Sequence, residues 1–335
     1  MDICEFYLSE LEEYIAQRGI KKFRAKQIFQ WIHQKGVFDF YKMKNLPVKE
    51  SEWFCHEFEL APLAIVTKRV SQDQTEKYVF RLEDGQTIET VLIPHGKRQT
   101  VCVSTQVGCS MGCKFCATGS QGLVRNLTTS EIVRQAIQVN QSGGVTNIVF
   151  MGMGEPFANY DRVIRAIRLF NEPLGLNIGM RRMTVSTCGL VPMIKRFADE
   201  EIQVVLAISL HSAIDEKRSE TMPINNKYPI DELINACRYY IEKTNRRITF
   251  EYALIKGFND GKEDLDQLIR TLEGLLCNVN LIPINEFNGE YSRPDDASIK
   301  RVYNYLKQGD VEVAIRDSRG SDIEGACGQL RRSVE

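Results

Sequence analysis

The 335-residue chain has no run of eighteen apolar residues, so no transmembrane helix is expected. Its start, Met1 to Glu13, lacks the basic segment and apolar stretch of a secretory signal, and a cytosolic protein is implied. There is no internal repeat and no low-complexity tract. Net charge is nearly absent too, at -1, which taken over the whole chain argues against a polyanionic partner. Cysteine, by contrast, is plentiful. Ten thiols in a reducing compartment read as metal ligands, catalytic groups or core residues rather than as a disulfide framework.

The charge that is present is unevenly placed. Ile15 to Lys49 holds Arg18, Lys21, Lys22, Arg24, Lys26, Lys35, Lys42, Lys44 and Lys49 against Asp39 alone. Such a segment is either a solvated helix face or a surface whose lysines neutralise phosphates and release counterions. Within it Ala25, Ile28, Phe29 and Ile32 recur at helical spacing, with Lys22, Lys26, Gln30 and His33 on another face, which predicts a small helical unit. Glu76 to Leu82 and Thr87 to Ile93 then read as two strands joined across Asp84-Gly85.

From about Val101 strands alternate with helices. The strands are expected at Val101 to Thr105, Asn147 to Met151, Met183 to Thr187, Gln203 to Leu210, Thr249 to Ile255 and Asn278 to Ile284. Between them lies Thr128 to Gln141, whose Thr128-x-x-Glu131 reads as a capping box. This alternation predicts an α/β fold with a parallel sheet, and six units suit a partial (β/α)6 barrel. A small α+β domain, residues 1–93, is expected to precede the barrel at 94–335. Chemistry in such barrels sits at the C-terminal strand ends. Cys109, the run Gly152 to Pro156, Ser186-Thr187 and Ser209-Leu210-His211 all follow successive strands.

Cys109, Cys113 and Cys116 form a Cys-x3-Cys-x2-Cys motif, three thiols where a closed cluster takes four. A zinc knuckle would show a second cysteine pair, and only His95 stands nearby. Plain buried thiols explain poorly three cysteines set among Gly108, Gly112 and Gly119. The pattern resembles the radical S-adenosylmethionine (SAM) superfamily. That resemblance implies a [4Fe-4S] cluster with one open iron, which chelates SAM. Met151-Gly152-Met153-Gly154-Glu155-Pro156 looks like the Gly-Glu element that holds the SAM amino group, here Gly154 and Glu155. Ser186, Ser209, Leu210, His211 and Asn285 lie at or just beyond other strand ends and could bind the rest of SAM.

Together with Gln106 to Cys109 and Met222-Pro223-Ile224-Asn225, the stretch Asp322 to Leu330 resembles the RlmN and Cfr family of RNA adenine methyltransferases. The resemblance implies methylation of an adenine in large-subunit ribosomal RNA, with tRNA as a further substrate in the C2-specific branch. It implies two SAM per turnover: Cys327 takes a methyl from one, and the other supplies the radical that activates it. By the same resemblance Cys102 is the second thiol, which resolves the adduct and leaves a disulfide, and Glu89 is the proton acceptor. An electron donor such as flavodoxin or ferredoxin and a monomeric state are expected. Pro156, Val107 and Arg319-Gly320 look like the C2 branch, with C8 methylation as the alternative. A non-catalytic iron-sulfur protein that binds RNA is a further alternative, but it has no use for Cys102, Cys327 and the Gly-Glu element together. On apolar or half-buried strands, Cys102 would otherwise pass for core and Glu89 for a surface residue.

Overall fold

The computed structural model describes residues 1–141, 144–286 and 289–331. Its strands are β1 (Ala64–Val70), β2 (Glu76–Arg81), β3 (Thr87–His95), β4 (Arg98–Cys102), β5 (Gln106–Gly108), β6 (Leu123–Asn126), β7 (Asn147–Phe150), β8 (Met183–Thr187), β9 (Val205–Ser209), β10 (Ile248–Leu254), β11 (Cys277–Pro283) and β12 (Val313–Ile315). Ten of them make one sheet in the order β1-β2-β3-β4-β7-β8-β9-β10-β11-β12. From β4 onward each pairing is parallel. The six barrel strands that the sequence predicts are therefore present, and short β12 adds a seventh at the open edge. The expected Val101 to Thr105 strand is shifted, because after Cys102 the chain leaves β4 and its next amides bond to Val149 and to Met153 of the β7 loop.

Side chains alternate across the barrel wall, as the two-residue period of a strand requires. In β8, Met183 and Val185 are buried, while Thr184 and Ser186 face the lumen. Glu251 and Asn280 likewise line the lumen from β10 and β11. The interior is thus hollow, with these polar groups set among Ile93, Val149, Val205 and Ile282. Between barrel strands the helix Thr129–Asn140 buries Ile132, Val133, Ala136 and Ile137. Its capping box is formed: the Glu131 amide donates to Thr128 Oγ1 (3.1 Å) and the Thr128 amide to Glu131 Oε2 (2.8 Å). Such a cap stabilises a helix by about 1 kcal/mol.

The hairpin turns at Gly85, whose φ of +81° suits glycine. Its strands, with β1, are antiparallel and bond through β3 to β4, so they continue the barrel's sheet. Tyr78, Phe80 and Ile88 accordingly join the barrel core. The N-terminal helices keep a core of their own, with Leu11, Ile15, Ile28, Phe54 and Phe58. Their unit is fixed to the barrel by Arg134 to Asp2 (2.7 Å) and Gln141 Nε2 to the Gly36 carbonyl (2.6 Å).

One expectation in that unit needs correction. His33 does not share an outer face with Lys22 and Lys26. The α-helix Phe23–Phe29 gives way to a π-turn over Gln30–Gln34, with the Lys35 amide bonding to the Gln30 carbonyl. The wider turn swings His33 inward, where it is buried and stacks on Phe29 with ring centroids 4.1 Å apart.

Candidate active site

Strands β5 and β6 form a separate two-stranded ribbon, and the three-cysteine motif occupies the loop between them. Gly108 opens this loop at φ +78°, and a Cβ there would sit 1.9 Å from the Gly122 carbonyl oxygen. The ribbon therefore closes only with glycine, which seats the Cys109 amide on that same carbonyl at 2.9 Å. Cys116 begins the short helix Ala117–Ser120, and its amide bonds to the Cys113 carbonyl (3.1 Å).

Burial pushes the Cys109 thiol up to about 12, with Glu155 and Cys116 adding repulsion. Cys113 is raised further by burial and by the two neighbouring thiols. Such thiols become thiolates only against a strong local cation. The three thiols sit together on one loop and line the same cavity, the donor set that a cluster with one open iron takes. The loop fits a cluster held by Cys109, Cys113 and Cys116.

The motif faces a cavity of about 180 Å³ lined also by Gly154, Glu155, Ser186, Ser209, His211, Asn285 and Cys327. The structure thus gathers nearly all the residues named at the strand ends. Leu210 is the exception, since its side chain is fully buried away from the cavity and its carbonyl accepts from Arg218 Nε (3.1 Å). The glycines in Met151 to Pro156 serve the protein's own packing: a Cβ on Gly152 would meet the Val103 carbonyl at 2.7 Å, and one on Gly154 the Gln106 side chain at 2.5 Å. Gln106 Oε1 in turn accepts from the Glu155 amide (2.8 Å). The Glu155 carboxylate accepts the amides of Phe157 (3.0 Å) and Cys188 (2.8 Å), while burial raises its proton affinity.

His211 sits at φ +57°, and burial drives its imidazole down to about 3. The neutral ring accepts the Ala253 amide at Nδ1 (2.9 Å), which leaves Nε2 as a donor. Arg218, which the sequence reading did not single out, is fully buried. It donates to the carbonyls of Cys188, Ser209 and Leu210 and to Asn225 Oδ1. It therefore ties two strand ends to the Met222 to Asn225 motif. An arginine on the helix Asp215–Thr221 carries no sign of this in its spacing.

A second cavity, of about 410 Å³, runs deeper into the barrel and is lined by Cys102, Thr184, Thr249, Asn280 and Cys327. The two cavities share Met151, Glu251, Ile282, Asn285, Arg316 and Cys327. The segment after β12 crosses this junction. Asn285 Nδ2 donates to the Cys327 carbonyl (3.1 Å), and the Gly328 carbonyl accepts from Ala117 beside the cysteine loop (2.7 Å). Cys102, at the end of β4, is pushed up to about 12 by burial, and the charge of Arg316 opposes the rise. Arg316 was likewise not read from the sequence. Its guanidinium lies 3.8 Å from Glu251 and 3.7 Å from Met151 Sδ, and the charges of both Cys102 and Cys327 bear on it. Glu89 is buried rather than a surface residue, and its carboxylate meets Lys77 Nζ at 3.1 Å and accepts the Arg331 amide at 3.0 Å.

Comparison with known proteins gives matches over the whole chain. Residues 103–272 match the model of the radical SAM superfamily, and residues 1–50 that of the ribosomal RNA large subunit methyltransferase N-terminal domain. A protein of Clostridium novyi (strain NT), named a probable dual-specificity RNA methyltransferase RlmN, is 48% identical over 336 residues, covering 99% of this chain and 98% of its own. One of the same name from Clostridium perfringens (strain 13 / Type A) is 49% identical, covering 99% and 97%. The crystal structure of a radical SAM methyltransferase from Sphaerobacter thermophilus matches with a TM-score of 0.95 at 47% identity, covering 99% of both chains.

Proposed function

Because this chain belongs to the radical SAM superfamily and, within it, to the RlmN-type RNA methyltransferases, we propose that it methylates carbon C2 of a specific adenosine in large-subunit ribosomal RNA and in tRNA. The observation that carries the chemistry is the meeting of Cys102 and Cys327. They come from β4 and from the C-terminal segment to one lumen wall, flanking Arg316 and adjoining the three-cysteine loop. A protein that merely stored a cluster or bound RNA would have no use for two thiols there. The relatives' name does not favour the C8 alternative.

C2 of adenine lies between two ring nitrogens and is electron-poor, so it does not displace a methyl group as a nucleophile. The cluster and SAM supply, when bound, the methyl group and the one-electron cleavage that makes a carbon radical reachable. Cys109, Cys113 and Cys116 hold the cluster. Gly154, Glu155, Ser186, Ser209, His211 and Asn285 would frame SAM, with Glu155 as the carboxylate for its ammonium group; the Leu210 carbonyl is spent on Arg218. Cys327 carries the methyl carbon to the base, and Glu89 takes the C2 proton. Once the adduct has also given up its unpaired electron to the oxidised cluster, the Cys102 thiolate attacks the Cys327 sulfur; the electron pair of the broken sulfur–carbon bond stays with the added carbon, which takes up a proton to become the methyl group, and a Cys102–Cys327 disulfide is left. Arg316 is the cation beside both thiols and favours the thiolate form that this attack needs.

The helical unit within residues 1–93 is assigned to RNA docking. Lys21, Lys22, Lys35, Lys42, Lys44 and Lys49 are exposed on it, interleaved with exposed Phe23 and Tyr41. Reduction by a flavodoxin or ferredoxin, a monomeric state and a cytosolic location complete the reading; among the described residues no helix is long and apolar enough to cross a membrane. Mass spectrometry of nucleosides from RNA treated with the anaerobically reconstituted enzyme tests it. 2-Methyladenosine is expected, and 8-methyladenosine or no product would overturn the assignment.

A further inference from the structure

The register of the sheet places Lys77, Glu89 and Cys102 on one face. Val91 of β3 pairs with Lys77 of β2 on one side and with Cys102 of β4 on the other, and Glu89 lies two residues from Val91. The neighbouring positions Tyr78 and Phe80 are buried in the barrel core on the opposite face. Lys77 is thus a buried lysine facing inward toward the reaction. Its ammonium lies 3.1 Å from Glu89 Oε1 and donates to the Glu324 carbonyl at 3.2 Å. Both side chains are nearly inaccessible, at 4% and 3% exposure. A buried ion pair of this kind is a weak source of stability, because desolvating two charges offsets their attraction. Its use must be sought in what it does to Glu89.

We infer that Lys77 is the positioning residue of the proton-transfer step: it keeps the Glu89 carboxylate ionised in a dry site, so that it can accept the proton from C2 of the adduct. This deepens the proposed function and rests on the assignment of Glu89 as the base. In the step, the C2–H bond breaks, its electron pair stays with the ring, and Glu89 passes from carboxylate to neutral acid. The charged groups around Glu89 are few. Lys77 faces it from β2; Glu324 and the Arg331 backbone face it from the C-terminal segment, where the Arg331 guanidinium is occupied by the Glu324 carboxylate at 2.9 and 3.1 Å. Burial raises the proton affinity of Glu89, Glu324 adds to the rise, and Lys77 is the one side chain among them that opposes it. Without that cation burial and Glu324 would raise the proton affinity of the carboxylate further.

The test follows single-turnover methyladenosine formation against pH in wild type, Lys77→Met, Lys77→Arg and Glu89→Gln, each reconstituted anaerobically. A base must be ionised to act, so the rate climbs with pH through the Glu89 midpoint. In Lys77→Met this acid limb should move up by about one unit or more, which lowers the rate about tenfold per unit on the acid side. Lys77→Arg, which keeps the charge, should restore most of the wild-type profile. Carbon-13 NMR of the Glu89 carboxylate in apo protein, assigned by its loss in Glu89→Gln, should show the same upward displacement without any turnover. If Glu89→Gln turns over like wild type, Glu89 is not the base and the reading beneath the inference fails. If Glu89→Gln is inactive but Lys77→Met keeps the wild-type limb and carboxylate midpoint, Lys77 is structural and the inference alone is overturned.

Discussion

In the proposed cycle Cys327 carries the methyl carbon and Cys102 resolves the adduct, so losing each should stop it at a different point. Cys327→Ala has no sulfur to take the methyl, so it should neither become methylated nor modify RNA. Cys102→Ala should still accept the methyl and join the base, yet lack the thiolate that frees it. Protein covalently attached to RNA through Cys327 should therefore accumulate, visible as a shifted band on a denaturing gel. Free turnover by Cys102→Ala would require another resolving group. Nothing around either cysteine in the linear sequence separates these roles. Cys102 sits on an apolar strand and Glu89 on a half-apolar one, and only the resemblance picked them out. What the sequence could not show is the cation beside each, Arg316 by the two thiols and Lys77 by Glu89. A basic residue on or beside a strand is ordinarily exposed, and the burial that gives these two a role comes from contacts made across the fold.

At the level of elements, the barrel strands were legible because each is a short β-branched or aromatic run bounded by an amphipathic helix. The short strands β5, β6 and β12 were not, since their three or four residues lie in no longer apolar run, whereas the equally short β7 continues as one into Met151. Nor was the π-turn, which depends on one widened hydrogen bond. That turn has a consequence for acid stability. His33 is held neutral, its imidazole driven down to about 3 by burial. Its folded midpoint lies below the unfolded one, so its contribution is fully present above about pH 6.5 and is lost as pH falls toward 3. At pH 5 the loss is about 2 kcal/mol. Urea midpoints at pH 7.5 and 5 should draw closer together in His33→Phe than in wild type. The same helical unit carries the exposed lysines. Some of its cations are internally spent, with Arg24 on Glu50 (2.6 Å), Arg18 on Glu57 (3.4 Å) and Lys26 loosely on Glu12 (3.8 Å). Replacing Lys21, Lys22 and Lys26 with Gln should weaken RNA binding and reduce the slope of log affinity against log salt by about 2. Unchanged affinity and slope in the folded variant would make the face merely solvated.

Across the whole molecule, the sequence reads as a small α+β domain, helices and hairpin, followed by a barrel, and in the structure the sheet runs without a break from the hairpin into the barrel. Alternation along the chain shows where strands lie but not that an antiparallel ribbon will bond to the first parallel strand. The C-terminal segment ties the two parts together. Asp322 accepts from Ser71 Oγ (2.6 Å), Asp73 from the Gly320 amide (3.0 Å), and Glu89 from the Arg331 amide, 242 residues away in sequence. Such contacts are among the most distant a chain this size can make, and distant contacts form late because long loops must close first. A ribosome making this protein releases the hairpin long before the segment that covers it. Until Glu324, Cys327 and Arg331 are made, the segment that covers Lys77 and Glu89 is missing and Cys327 is absent from the lumen. Under the proposed function, a working site therefore waits for residues 320–331 to be made and docked.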